Sequence, residues 1–198
     1  MKALTTIVAL AGLAAASQAS FTVATFSDPA TSGSTPLFVW DQNANTLTGG
    51  WSGTGLTLNT PGLIGGGSYN DVTFSMTPVS LTFVSTNVYT MGRGVVTFLD
   101  SSNNTLLTAT FNGGLFVNPF TSGSSDLTGF NIDFGGPLVP AGWTDEQFAF
   151  SLANATNMGN NQVGYTAAFT SSAVPEPATM IALGSGLALL AARRRNKR

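Results

Sequence analysis

Apolar residues in this chain return at every second position through one short run after another, and that period is the signature of strands. Val72-Thr73-Phe74-Ser75-Met76 alternates cleanly and Leu81-Thr82-Phe83-Val84 less so, with Pro78 marking a break between them. Runs at 21–26, 94–99, 106–111, 130–134, 148–152 and 164–169 continue the pattern. Clusters such as Leu63-Ile64-Gly65-Gly66-Gly67-Ser68 separate them with loop chemistry. About ten short strands at this spacing predict an all-β fold, an antiparallel β-sandwich or jelly roll. Residues 143–150, W-T-D-E-Q-F-A-F, are the one place where a helical turn could start.

Charge and residue usage then narrow the chemistry. From Phe21 to Ala173 the chain has eight acids against one base, Arg93, a formal charge of −7. Such a body does not bind nucleic acid by neutralising phosphates, which takes Lys and Arg. Cysteine is absent, so the core alone must stabilise the domain, and 14 Phe with many Val and Leu argue against disorder. Histidine is absent too, which removes Ser-His-Asp and Cys-His catalysis and His-ligated metals. Paired carboxylates of the glycosidase kind survive as a distant option, with Asp133 and the adjacent Asp145-Glu146 as candidates, although acids in a polar segment are ordinarily solvated. The expectation is a domain that is not an enzyme and that needs no cofactor and no metal.

Two stretches resemble each other: Asp41-Gln42-Asn43-Ala44-Asn45-Thr46-Leu47 and Asp100-Ser101-Ser102-Asn103-Asn104-Thr105-Leu106. Each reads as a hairpin loop in which Asp and Asn bond their own backbone. The first has the D-x-N-x-N spacing of a calcium loop, but Thr46 stands where that loop needs Gly and Ser52 where it needs Glu, so the turn reading is preferred. Carbohydrate binding is the alternative function, since β-sandwiches often serve as such modules. Trp40 ends an apolar run and belongs to the core. Trp51 and Trp143, beside glycines in loop-like sequence, are the candidate glycan contacts, although packing is the commoner use of such rings.

The N-terminus reads as a signal peptide over residues 1–19. Lys2 supplies the charged start, Leu4 to Ala16 the apolar stretch and Ser17-Gln18-Ala19 a small-x-small site, with cleavage between Ala19 and Ser20. Residues 20–173 follow as the exported domain.

From residue 174 the order is V-P-E-P-A-T, an uncharged apolar run over 178–192, and R-R-R-N-K-R over 193–198. Pro175-Glu176-Pro177 is stiff and extended. Arg193, Arg194 and Arg195 form a positive-inside membrane stop. At about 22 Å as a helix, the run is short of the roughly 30 Å hydrocarbon core, which suits a transmembrane segment held only until it is cut; a plain membrane anchor is the other reading. This order resembles the PEP-CTERM sorting tail of Gram-negative bacteria, which an exosortase, a membrane-embedded cysteine transpeptidase, recognises and cleaves. The resemblance is confined to about residues 174–198. It implies export across the inner membrane, transient anchoring there through the 178–192 helix, and release to the cell surface or extracellular matrix of an exopolysaccharide producer. The function expected for the domain is structural or adhesive.

Overall fold

The structure, a computed structural model, describes residues 20–27, 29, 35–118 and 125–175, with 125–127 as backbone alone. In chain order the strands are β1 (Phe21–Phe26), β2 (Phe38–Asp41), β3 (Thr46–Trp51), β4 (Leu58–Asn59), β5 (Ser68–Tyr69), β6 (Thr73–Ser85) and β7 (Val88–Met91). There follow β8 (Gly94–Leu99), β9 (Thr105–Phe111), β10 (Gly113–Val117), β11 (Ser125–Phe130), β12 (Asp133–Gly135), β13 (Trp143–Gly159) and β14 (Gln162–Pro175). No helix occurs among the described residues, and the expected membrane helix over 178–192 lies outside them.

Every ladder is antiparallel. Strand β6 pairs with β7, β7 with β10, β10 with β11, β11 with β13, β13 with β14, β14 with β2, β2 with β3, and β3 again with β6. Eight strands therefore close a barrel, which replaces the expected sandwich or jelly roll. The closure depends on two long strands that change partner along their length. The first half of β6 pairs with β8 and its second half with β7. The start of β14 pairs with β2 and its end with β1. The six remaining strands form two arms, β8-β9-β12 on β6 and β1-β4-β5 on β14.

The barrel is four consecutive hairpins, β2–β3, β6–β7, β10–β11 and β13–β14, with all four tips at one end. Asp41 at one tip lies opposite Gln162 at another, and Val88 at a third lies opposite Val117 beside the fourth. The opposite end, the base, holds both ends of the domain: Phe21 pairs with Ala173 and Trp143 with Pro175.

Two sequence expectations are corrected here. Residues 143–150 are extended, because they open β13 against β14. Pro78 does not break the chain; β6 runs through it. It sits where β6 has left β8 after Met76↔Val96 and has not yet met β7 at Leu81↔Met91, and where the β3 ladder carries a bulge. A residue with no N–H is tolerated where no partner strand needs that donor.

The core follows the strand alternation: β8 reads buried-partly buried through all six residues. Near the tips it is built on Trp40, whose ring lies 5.0 Å from Tyr89 and 5.6 Å from Phe116. Lower down, Phe26, Phe74, Phe98, Phe150 and Phe169 form one aromatic cluster, with Phe150 and Phe169 at 4.9 Å. Gly114 is dictated by closure, since a Cβ there would lie 2.1 Å from the Thr128 carbonyl oxygen.

Candidate functional site

Strand β14 does not fray before the tail begins. Ala173 and Val174 are buried, and Pro175, the first residue of the Pro-Glu-Pro tripeptide, is its last residue. The Thr144 hydroxyl donates to the Val174 carbonyl at 3.3 Å. The Trp143 ring packs edge-on against Phe21 at 5.4 Å and Phe134 at 6.3 Å. The chain thus leaves the domain from a packed aromatic corner at the base. Glu176, Pro177 and the arginines 193–195 lie outside the described residues, as does Ala19; Ser20 is the first described residue and is exposed.

Two of the three candidate carboxylates, Asp133 and Glu146, come together near this corner. The β13–β14 register shifts between Thr144 and Gln147, with Asp145 in the left-handed region at φ 49°. This bulge turns Glu146 towards β12, where its carboxylate accepts a hydrogen bond from the Phe134 N–H. Burial pushes the Glu146 carboxyl above its ordinary value, the Phe134 bond opposes that, and the charge of Asp133 adds to it. Glu146 and Asp133 therefore interact, while Asp145 is exposed.

Beside Glu146 the sheet opens. Phe130 and Asn131 pull away from β13 after the Thr128↔Ala149 pair, leaving a cleft of about 510 Å³ lined by Phe130, Asn131, Glu146, Gln147, Thr170 and Ser172 among others. Phe130 is 46% exposed there. The cleft offers one exposed aromatic ring, Phe130, above the buried Phe148, with two side-chain amides, hydroxyls and one carboxylate, and no base. Sequence reading passed over Phe130 as one apolar residue of a strand run; its exposure follows from the left-handed turn at Asn131, φ 48°, which ends β11.

The two tryptophans lie on strands rather than in loops. Trp51 ends β3 opposite Phe74, half-buried, with its indole N–H enclosed and unpartnered among the described residues. Trp143 opens β13, and no ring contact joins the two. The look-alike loops are turns held by their aspartates. The Asp41 carboxylate accepts from the Asn43 and Ala44 amides, both at 2.9 Å, and Asp100 accepts from the Ser102 and Asn104 amides, both at 2.8 Å. The Ala44 amide and the Gln162 side chain hold the Asp41 carboxyl below the ordinary value, and the Asn104 side chain and backbone do the same for Asp100. No group of three or more acids placed to hold a metal occurs among the described residues.

The order of features at the chain's end matches a known family model. Residues 173–195 match the PEP-CTERM protein-sorting motif. A PEP-CTERM motif marks an exported protein that is processed by an exosortase and sorted to the surface of Gram-negative bacteria. No curated protein and no solved structure matches the chain. The PEP-CTERM match begins at Ala173, so its first three residues are β14 residues and the motif starts inside the fold without a linker.

Proposed function

We propose that the barrel is a structural or adhesive domain, without catalysis, that an exosortase delivers to the cell surface or matrix after transient inner-membrane anchoring through residues 178–192. The observation that carries this is the PEP-CTERM match at 173–195 directly behind a packed strand. The absence of histidine and the single base of the body support a non-catalytic role. Glu176 is the recognition charge in this reading, presented by two prolines as a preformed extended segment at low entropic cost. Glu176→Ala should leave export and membrane insertion intact and block processing, so that an immunoblot of fractionated cells finds full-length protein in the inner membrane. Surface protein of normal mature mass from that variant would reduce the tail to an ordinary anchor.

A second reading, binding of the cell's own exopolysaccharide, is favoured by the cleft beside Phe130. An exposed ring among amides and hydroxyls, with no base, suits an uncharged polyol. In this reading Phe130, rather than Trp51 or Trp143, is the stacking ring, because Trp143 already spends its faces and edges on Phe21 and Phe134. Glycan-array binding that disappears in Phe130→Ala and persists in Trp51→Phe is the expected result; an array with no signal for the parent protein removes the reading. Hydrolysis of a glycan by Asp133 and Glu146 stays a distant third option, its test being turnover lost in Glu146→Gln.

A further inference from the structure

We propose that the base of the barrel is a bilayer-contact surface, on which Ile64 and its neighbours rest in the lipid interface while the tail is still attached. The inference rests on the reading that residues 178–192 are embedded in the membrane. Given that, the length of chain decides the geometry. Pro175 is the last residue of β14, and the apolar run opens at Ala178. Three residues reach about 10 Å even when fully extended. The base therefore cannot stand off from the membrane by more than that.

One side of the exit is apolar, the side away from Asp133, Asp145 and Glu146. The Gly-rich loop after β4 carries Ile64, 56% exposed, and bonds to the segment before β13 through the Ile64 N–H and the Leu138 carbonyl at 2.8 Å. Its Gly62 donates to the Val23 carbonyl at 3.1 Å and lies so close to Phe21 that a Cβ there would meet the ring at 2.7 Å. Phe21 in turn packs on Trp143, the register partner of Pro175. Ile64, Leu138, Phe21 and Trp143 thus form one continuous corner around the departing chain. Half-buried aromatics beside an aliphatic tip are the composition favoured at a membrane interface.

Phe83 and Val84, 65% and 56% exposed, form a rival apolar patch. They stand on the β6–β7 hairpin at the tip end, however, and β14 alone carries the chain about 40 Å from that end to the exit. They cannot reach the bilayer that the tail enters. Charge limits the depth of contact at the base. The body is strongly acidic, Asp133 and Asp145 are exposed beside the corner, and Glu146 is half-buried between them. Anionic lipids repel such a domain, so the contact depends on the tether, which supplies a high effective concentration for a weak apolar interaction.

The chain has no cysteine, so single-cysteine variants carrying an environment-sensitive fluorophore are unambiguous. Full-length Ile64→Cys, Thr86→Cys and Leu187→Cys chains would be reconstituted in vesicles of phosphatidylethanolamine and phosphatidylglycerol, with and without a lipid-borne quencher. Near-UV circular dichroism matching the parent establishes the fold of each. The expected result is a blue shift and strong quenching at positions 64 and 187, with position 86 aqueous and unquenched. A quenched 187 with an aqueous 64 overturns the inference and leaves the anchor reading standing. An aqueous 187 overturns both. Equal quenching at 64 and 86 also overturns it, because the contact would then have no preferred end.

Discussion

Glu146 is the residue whose surroundings most constrain its behaviour. A bulge aims it, the Phe134 N–H engages it, and Asp133 stands near enough to oppose its ionisation. Its carboxyl is raised above the ordinary 4.5, chiefly by burial. A raised acid keeps its proton in the folded chain after the unfolded chain has lost it. Stability from this group is therefore full below 4.5, falls as pH rises from 4.5 through the folded value, and is flat above that. Glu146→Gln keeps an oxygen to accept from Phe134 and removes the charge. The expected outcome is a variant whose thermal midpoint lacks the decline that the parent shows on going from about pH 4.5 towards neutrality. Asp41 and Asp100 act in the opposite sense and in a lower window. Their carboxyls are held below 3.8, so their contribution is present above 3.8 and lost as pH falls through the folded values. Their window lies below that of Glu146, so loss of stability on acidification and loss on raising the pH report different groups. Tyr165 is a different case: fully buried in the barrel, it donates from its hydroxyl to the Asn118 side chain at 2.7 Å, and burial raises its phenol well above the usual range.

At the scale of elements, two loops that share an Asp and the Asn-Thr-Leu four residues later have come to different neighbours. The Asp100 loop closes on itself: its carboxylate also takes the Asn104 side-chain amide at 3.0 Å. The Asp41 loop reaches across the barrel tip. Gln162 donates to Asp41 at 3.1 Å, Asn43 donates to the Asn160 carbonyl at 3.2 Å, and Asn161 donates to Asn43 at 2.9 Å. Asn160 and Asn161, at φ 50° and 59°, form the two-residue hairpin turn that puts them there. Asp41→Ala should therefore lower the thermal midpoint more than Asp100→Ala, because it loosens two hairpins of the closed ring and not one arm. Equal losses in the two variants would mean that the tip contacts contribute nothing beyond local turn formation. The loop chemistry was readable from Asp and Asn spacing alone, since a side chain bonding its own backbone is a local event. The bridge to Asn160 was not, because its partners lie 117 residues apart.

For the whole molecule, charge and topology set the terms. A body of formal charge −7 with no cross-link repels itself, and screening should relieve that. Thermal midpoints are expected to rise from low to physiological salt and to ignore reducing agent; a steady fall with salt would contradict the repulsion argument. The same acidity leaves the domain dependent on its core, which the aromatic cluster around Phe150 and Phe169 supplies. The four hairpins give the molecule a direction. The tips carry the loops at Asn43 and Asn160–Asn161, and the base carries the Asp100 loop, the Trp143 corner and the exit at Pro175, so a chain held by its tail would present the tips outward.

The sequence by itself determined the all-β class, the turns at Asp41 and Asp100 and the PEP-CTERM tail. Each of these rests on neighbours within a few positions, where period, turn chemistry and motif spacing are written directly. Only the tertiary structure decided that the sheet closes into a barrel, that Pro78 sits inside a strand, that Glu146 meets Phe134, and that the sorting motif begins within β14. Those depend on which strand lies beside which. Strand pairing is set by the combined burial of faces such as Phe74 on β6 against Phe150 and Phe169 of the β13–β14 hairpin, contributed from two distant parts of the chain. Alternation shows that a strand has a buried face; it does not show which strand that face will meet.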